Sequence, residues 1–151
     1  MSDANQAEEV LDSILSKLGF IYSIEQEESE EGTVLQIRTE QGKYLIGRSG
    51  DRLDDIQYLV NRILQKKNPD ADRVRIDCEN YRVEQEQKLC EAVLDAAAKV
   101  KETGKPQRLK PLNAYYRRIA HNAIVDDPEI ESTSPGGNDR MKRITLRLAG
   151  S

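Results

Sequence analysis

Residues 44–50 read Tyr44-Leu45-Ile46-Gly47-Arg48-Ser49-Gly50, and a long amphipathic stretch begins directly after them at Asp51. A turn built on Gly-x-x-Gly exposes backbone N–H groups beside the positive end of a helix, and such an arrangement suits a phosphate oxygen. Glycine also lets another backbone approach closely. On its own the pattern is equally compatible with an ordinary turn, because many loops contain two neighbouring glycines. Its meaning therefore depends on the elements around it.

The segment before this loop predicts one helix and two strands. Apolar residues recur at helical spacing from about residue 6 until Gly19. Residues 20–24 and 34–38 alternate between apolar and polar side chains, which predicts two antiparallel strands. The five glutamates within residues 25–31 are expected to form a solvated turn between these strands, because no other ligands nearby could complete a metal site.

The segment after the loop predicts a helix and a third strand. The apolar residues between Leu53 and Leu64 follow a helical period, and the helix is expected to end near Asn68-Pro69. Residues 73–78 then alternate again. The predicted order is helix, strand, strand, short helix, Gly-x-x-Gly, helix, strand.

The composition predicts a globular protein of the cytoplasm. Of the 151 residues, 33% are charged and 37% are hydrophobic, and the hydrophobic residues fall in periodic runs. No segment approaches the roughly 18 consecutive apolar residues of a membrane span. A basic start followed by an apolar stretch is also missing from the N-terminus. We therefore expect no contact with a membrane.

The sequence contains little that indicates catalysis or a bound cofactor. Cys78 and Cys90 are too few for a disulfide framework, and together with the single histidine they form no metal-ligand pattern. There is no Gly-x-x-x-x-Gly-Lys phosphate loop and no nucleophile with an evident base. We expect no catalytic residue, no metal and no cofactor, and a protein that is not an enzyme.

The formal net charge of −4 conceals an uneven distribution of charge along the chain. Residues 1–40 contain ten acids and two bases, whereas residues 105–151 contain nine bases and five acids. The window from Lys105 to Arg118 contains five bases, two tyrosines and no acid. Because local charge governs the binding of polyanions, a negative total does not exclude a nucleic-acid partner.

The second half of the chain predicts two helices and two strands. Residues 81–101 form a long helical pattern that Thr103-Gly104 closes. Pro111 suits the first turn of a helix that runs to about Val125. Strands are predicted near 129–133 and 143–148, with the turn-rich loop 134–139 between them. Asn113, Arg117 and His121 are four residues apart and therefore share one helix face.

The first half resembles a KH domain of the type II topology (αββααβ), with Gly47-Arg48-Ser49-Gly50 as the signature loop. The resemblance implies that this loop clamps the backbone of a single-stranded nucleic acid. It also implies that Ile46 and Ile56 are candidates for the wall of an apolar groove, although the residues themselves favour plain core packing for each. The domain is expected to cover residues 1–78.

The second half, residues 79–151, resembles the small R-three-H domain, in which helices pack on a short sheet and which binds single-stranded nucleic acid. The residues that carry the resemblance are Tyr81-Arg82, residues 100–104, Tyr116 to His121, residues 133–136 and Arg143. In this order the two domains resemble the Jag (SpoIIIJ-associated, also called KhpB or EloR) family of bacterial RNA-binding proteins. The expected fold class is α+β.

The resemblance implies a binder of single-stranded RNA, and of single-stranded DNA as an alternative, that acts as a post-transcriptional regulator or RNA chaperone. Arg can pair with phosphate or stack on a base, and the exposed ring of Tyr115 could stack likewise, whereas the spacing of Tyr116 favours the core. His121 could equally be hydrogen-bonded within its own domain. The RNA-binding candidates are Ile46, Gly47, Arg48, Ser49, Gly50, Arg52, Lys110, Asn113, Arg117, Arg118, His121 and Arg143.

A second function stays open on the sequence alone. The KH surface could instead dock a small single-KH protein or a second copy of this chain, with weak or no RNA binding. The acidic first 40 residues fit a protein partner better than a bare nucleic-acid clamp.

Overall fold

A computed structural model describes residues 2–150 of the chain. Its contacts divide the chain into two units, the first ending at Arg82 and the second beginning at Val83. Each unit has a hydrophobic cluster of its own. Within the described residues, no helix is long and apolar enough to cross a membrane.

The first unit contains three α-helices and a three-stranded sheet in the order that the sequence predicts. Its elements are α1 (Asp3–Lys17), β1 (Ser23–Ser29), β2 (Gly32–Arg38), α2 (Gly42–Ile46), a single 3-10 turn (Arg48–Gly50), α3 (Asp51–Lys67) and β3 (Arg75–Cys78). The strand order is β1-β2-β3. β1 runs antiparallel to β2, and β3 runs parallel to β2. Buried side chains of α1, β2, α3 and β3 form one cluster.

Only the last part of the acidic run forms the turn that the sequence predicts. Glu25, Glu27 and Glu28 lie in β1, and only Glu30 and Glu31 occupy the turn to β2. The glutamates are exposed, as expected, but they are exposed on a strand. An edge strand with a solvated face tolerates charge at these positions, so composition alone does not end the strand.

Side chains of α3 cover the outer edge of β3. Asn61 accepts a hydrogen bond from Val74 N and donates one to Val74 O, both at 2.8 Å, and Gln57 Oε1 accepts from Ile76 N at 2.9 Å. Asn61 is only 8% exposed. These bonds satisfy edge groups of β3 that would otherwise be open, and they fix α3 against the sheet. The loop that precedes α3 is thereby attached to a rigid base.

The second unit is built on a long helix, a shorter helix and a small antiparallel sheet. Its elements are α4 (Tyr81–Thr103), whose first two residues belong to the first unit, β4 (Gln107–Arg108), α5 (Ala114–Ile124), β5 (Ile130–Thr133) and β6 (Thr145–Leu148). The strand order is β4-β6-β5. Buried residues of α4, α5 and the sheet form its core.

Two features of the second unit differ from the prediction. β4 is absent from the predicted elements because it has only two residues, and its pairing with β6 is the contact that defines it. α5 begins at Ala114 and not at Pro111, because the Asn113 side chain caps it by accepting from Tyr116 N at 2.9 Å. Leu112 is held in an extended bridge with Lys142, which keeps Pro111 outside the helix.

Candidate nucleic-acid interface

The loop between α2 and α3 requires glycine at position 47. Gly47 has φ 73°, in the left-handed region. A Cβ at this position would collide with Asp51 Oδ1 and lie 2.7 Å from Arg52 Cγ. Backbone conformation and the lack of space therefore both exclude a larger residue.

The remaining loop residues divide into two exposed side chains and one buried glycine. Arg48 and Ser49 are exposed, whereas Gly50 is buried. Ser49 and Gly50 both have positive φ, 55° and 82°. A Cβ on Gly50 would lie 3.0 Å from Tyr81 Cε1. The loop thus presents Arg48 and Ser49 to solvent while its glycines fix the turn.

Asp51 lies in the first turn of α3 and does not cap the helix. Gly50 occupies the cap position in a left-handed conformation, and Asp51 is the first helical residue, with φ −62° and ψ −41°. Its Oδ1 accepts a hydrogen bond from Arg52 N at 2.7 Å. The carboxylate lies beside Gly47, so an anion would meet less repulsion when it approaches from the side of Arg48 and Ser49.

Three other candidates in this region have internal contacts. Ile46 is half-buried against the core of the first unit, and Ile56 is 8% exposed within that core. The Arg52 guanidinium donates from Nη1 to Tyr44 O at 2.9 Å, so it holds the end of α2. Arg48 is therefore the candidate cation that is both exposed and central to the loop.

In the second unit, Asn113, Arg117 and His121 share one face of α5, as the spacing predicts. This face bonds to neighbouring parts of the same unit. Arg117 Nη1 donates to Leu112 O at 2.6 Å and to Arg140 O at 3.2 Å, and the His121 Nδ1 is hydrogen-bonded to Ser132 Oγ. The three residues hold together the start of α5, the loop before β6, and β5.

The three remaining cations of this surface, Arg118, Lys110 and Arg143, differ in their contacts with the rest of the unit. Arg118 is exposed, with its guanidinium carbon 5.9 Å from the centre of the Tyr115 ring. Lys110 is exposed as well. Arg143 donates from Nε to Leu109 O at 2.8 Å and so braces the segment that carries Lys110. The structure therefore brings these cations to the start and flank of α5.

The aromatic residues of this surface follow the prediction. Tyr116 is half-buried against the core, whereas Tyr115 is 38% exposed. The Tyr115 hydroxyl donates to Glu86 Oε1, and its ring meets the ring of Tyr116 edge to face, with 5.3 Å between the centres. Tyr115 thus has one anchored end and an accessible ring.

Sequence spacing did not identify three residues that support the candidate sites. Ser132 is the partner of His121, the backbone of Arg140 accepts from Arg117, and Tyr81 lies behind Gly50. Each of these contacts joins residues that are between 11 and 31 positions apart in the chain. A local pattern carries no signal for such pairs.

The Cys78 thiol is buried in the core of the first unit. Burial raises the pKa of the Cys78 thiol to about 11, which keeps it protonated and unreactive at neutral pH. Among residues 2–150, no group of three or more His, Cys, Asp or Glu side chains is arranged to hold a metal ion.

Burial of the His121 ring, and the nearby charge of Arg117, lower the pKa of His121 below its usual 6.5. Since the chain has one histidine, NMR can follow the titration of its ring without overlap from other histidines.

We expect the pKa of His121 to lie below 6.5 in the folded wild type. The pKa should be higher in Arg117→Gln, because that change removes a positive charge. The exposed Arg118→Gln is the control and should move the pKa less. A ring that titrates at or above 6.5 in the folded wild type would contradict this environment.

The same shift sets the sign of a pH effect on stability. A neutral His121 is favoured by the folded state, so its contribution to the free energy of unfolding is present above the unfolded pKa, near 6.5. That contribution is lost as the pH falls from 6.5 through the folded pKa.

Comparison with known proteins agrees with this geometry. The R-three-H domain family matches residues 87–148. A protein of Clostridium symbiosum named RNA-binding protein KhpB is 34% identical over 126 residues, which cover 83% of this chain and 56% of that protein. A Bacillus subtilis (strain 168) protein of the same name is 26% identical over 119 residues, covering 79% and 57%.

The chain therefore spans about half the length of the curated relatives it matches. The R-three-H match includes α5, β5 and β6. These elements and the loop between the two strands position Arg117 and His121. This chain therefore has an R-three-H domain in its second half and is similar, over most of its length, to relatives of the KhpB (Jag/EloR) family.

Proposed function

We propose that this chain binds single-stranded RNA in the bacterial cytoplasm and acts there as a post-transcriptional regulator or RNA chaperone. The observation that carries the proposal is the R-three-H domain at residues 87–148, together with relatives named RNA-binding proteins. Binding uses two surfaces, the GRSG loop (Gly47–Gly50) and the α5 surface (Lys110, Asn113, Arg117, Arg118, His121 and Arg143). No chemical step is part of this function.

The first surface is the signature loop of a type II KH domain. Support comes from the order αββααβ and from a glycine loop that lies directly between α2 and α3. The positive φ values of Gly47 and Gly50 and their close contacts fix the turn that presents Arg48 and Ser49 to solvent. Arg48 supplies the positive charge, and the amides at the beginning of a helical turn, which have no partner within that turn, supply donors to phosphate.

The second surface combines exposed cations with an accessible ring. Lys110 and Arg118 contact phosphates, and Tyr115 offers a face on which a base stacks, with a contribution of roughly 1 to 3 kcal/mol. Arg117 and His121 hold the frame of this surface through their bonds to Arg140 O and Ser132. Ring nitrogen Nε2 of His121 and the remaining donors of Arg117 complete the contact with RNA.

The double variant Arg48→Asp with Ser49→Asp tests the loop. We expect weaker binding to a single-stranded RNA oligonucleotide, because two negative charges replace a positive one beside the phosphate. The slope of log K against log salt should become shallower by about 0.7 for each phosphate that the variant no longer neutralises. Fluorescence anisotropy across a salt series measures both quantities, and circular dichroism verifies the fold.

The control is Ser16→Asp with Lys17→Asp, which adds the same charge at exposed positions of α1. Similar decreases of affinity in both double variants would indicate a general charge effect and would move the site away from the loop. A wild-type slope equivalent to one neutralised phosphate or less would contradict a mechanism based on phosphates.

Variants of the α5 surface distinguish residues that only bind RNA from residues that also stabilise the fold. Lys110→Gln with Arg118→Gln should weaken RNA binding and leave the unfolding midpoint unchanged, since both side chains are exposed. Arg117→Gln should lower both quantities, with a stability loss of about 1 kcal/mol or more, because the Leu112 and Arg140 carbonyls lose their donor. Urea unfolding beside RNA titration distinguishes the two classes, and equal stability losses would contradict the assignment.

A second candidate function is docking of a small single-KH protein or of another copy of the chain. The observation that favours it is an apolar row on the outer side of α3, where Tyr58, Leu59 and Ile63 are 67%, 48% and 36% exposed. Such a row on a surface helix is typical of an interaction site.

A pull-down from bacterial lysate, divided into samples with and without nuclease, distinguishes the two functions. Leu59→Asp should remove a protein partner that survives nuclease, because it places a charge in the apolar row. Val125→Asp, at an exposed apolar position of the second unit, is the matched control. If no protein is retained after nuclease treatment, docking of a different protein is excluded as the main function, and a monomeric mass in solution would likewise exclude docking of a second copy.

A further inference from the structure

The rear side of the GRSG loop is formed by Tyr81, a residue outside the loop and outside α3. The Tyr81 ring lies against Gly50, so close that a Cβ on Gly50 would be 3.0 Å from Tyr81 Cε1. The ring is half-buried against the core of the first unit. Gly50 and the preceding Ser49 both adopt left-handed conformations. Such conformations persist where the surroundings enforce them, and Tyr81 is part of those surroundings.

Arg82, the next residue, holds the first turn of α3 through an ion pair and hydrogen bonds. Its Nη1 forms an ion pair with Asp54 Oδ1 at 2.7 Å, and its Nε donates to Ile76 O at 2.8 Å. Its backbone N–H donates to Asp77 Oδ1 at 3.0 Å. The Arg82 side chain is 11% exposed. It therefore connects β3 with the helix that begins directly after the loop.

A well-anchored turn places both residues at this position. Glu79 and Asn80 have φ values of 50° and 57°, two successive left-handed residues that are not glycine. Glu79 N donates to Ile37 O at 3.1 Å, and Asn80 N donates to Gln36 Oε1 at 3.2 Å. The Glu79 carboxylate accepts from Thr39 N at 2.8 Å. These bonds offset the unfavourable backbone conformation, and the direction of the chain into Tyr81 is fixed.

We propose that Tyr81 and Arg82 are positioning residues for RNA binding by the GRSG loop. The inference rests on the proposed function, and it assigns to the beginning of α4 a role in the first surface. Neither side chain contacts RNA. Tyr81 keeps Gly50 and Ser49 in the bound conformation, and Arg82 keeps α3 in register with β3. A loop that occupies its binding conformation only part of the time binds more weakly by that fraction.

The test compares Tyr81→Leu with Tyr22→Leu in the full chain. Both tyrosines are half-buried against the same core, but Tyr22 bonds to Asp12 in α1 and not to the loop. We expect Tyr81→Leu to bind a single-stranded RNA oligonucleotide about tenfold more weakly, as for a loop that is competent one-tenth of the time. Tyr22→Leu should retain the wild-type affinity. Backbone NMR relaxation should show increased motion at Arg48, Ser49 and Gly50 in Tyr81→Leu only.

A second measurement separates positioning of the loop from a general structural effect. In the Arg48→Asp, Ser49→Asp background, where the loop no longer contributes, Tyr81→Leu should cause no further loss of affinity. An equal loss in both backgrounds would overturn the proposal, because the effect would then be independent of the loop. Should Tyr81→Leu fail to fold, Arg82→Gln takes its place in both backgrounds, with the same expected results.

The outcomes also distinguish this inference from the proposed function. If the wild-type chain does not bind single-stranded RNA, the proposed function is wrong. If the wild type binds but Tyr81→Leu and Arg82→Gln bind equally well with an unchanged loop, only the positioning role is overturned.

Discussion

The absence of space for a side chain at Gly47 is the constraint on which the first unit's candidate site depends. Asp51 and Arg52 pack directly against this residue, and its φ of 73° is in the left-handed region. This close packing allows α3 to begin only a few residues after α2 ends. The short connection in turn exposes Arg48 and Ser49 on a rigid base. A longer or looser loop would have to be ordered on binding, at a cost in affinity.

The arginines of both surfaces show how one residue type can serve structure and recognition together. Arg52, Arg117 and Arg143 each donate to a backbone carbonyl of a neighbouring segment. Guanidinium has five donors in a planar fork, so a bond to a carbonyl leaves further donors for a phosphate. Lysine at these positions would supply charge without the same bracing. Arg48 and Arg118 are exposed, and their side chains can adapt to the bound strand.

Much of this arrangement is predictable from sequence wherever the determinants are local. The glycine spacing, the apolar period of α3 and the shared face of Asn113, Arg117 and His121 each depend on residues a few positions apart. The errors arise where distant residues decide. β4 exists because Arg108 pairs with Thr145, and β1 includes Glu25 and Glu27 because β2 lies beside it. Likewise, the position of Tyr81 behind Gly50 depends on the turn at Glu79 and Asn80. Both residues of this turn are left-handed but neither is glycine, so the composition does not indicate the turn.

The same sheet gives a structural role to part of the acidity of the first 40 residues. A three-stranded sheet has two open edges, and each is blocked differently. At β3, side chains of α3 bond the outer backbone groups. At β1, exposed glutamates discourage pairing with another strand, and Arg38 holds Glu25, Glu27 and Glu79 within 3.1 to 3.6 Å. The charge of the glutamates in β1 is thus assigned to protection of an edge, and a net charge of −4 does not by itself weigh against RNA as the ligand, because local charge governs polyanion binding.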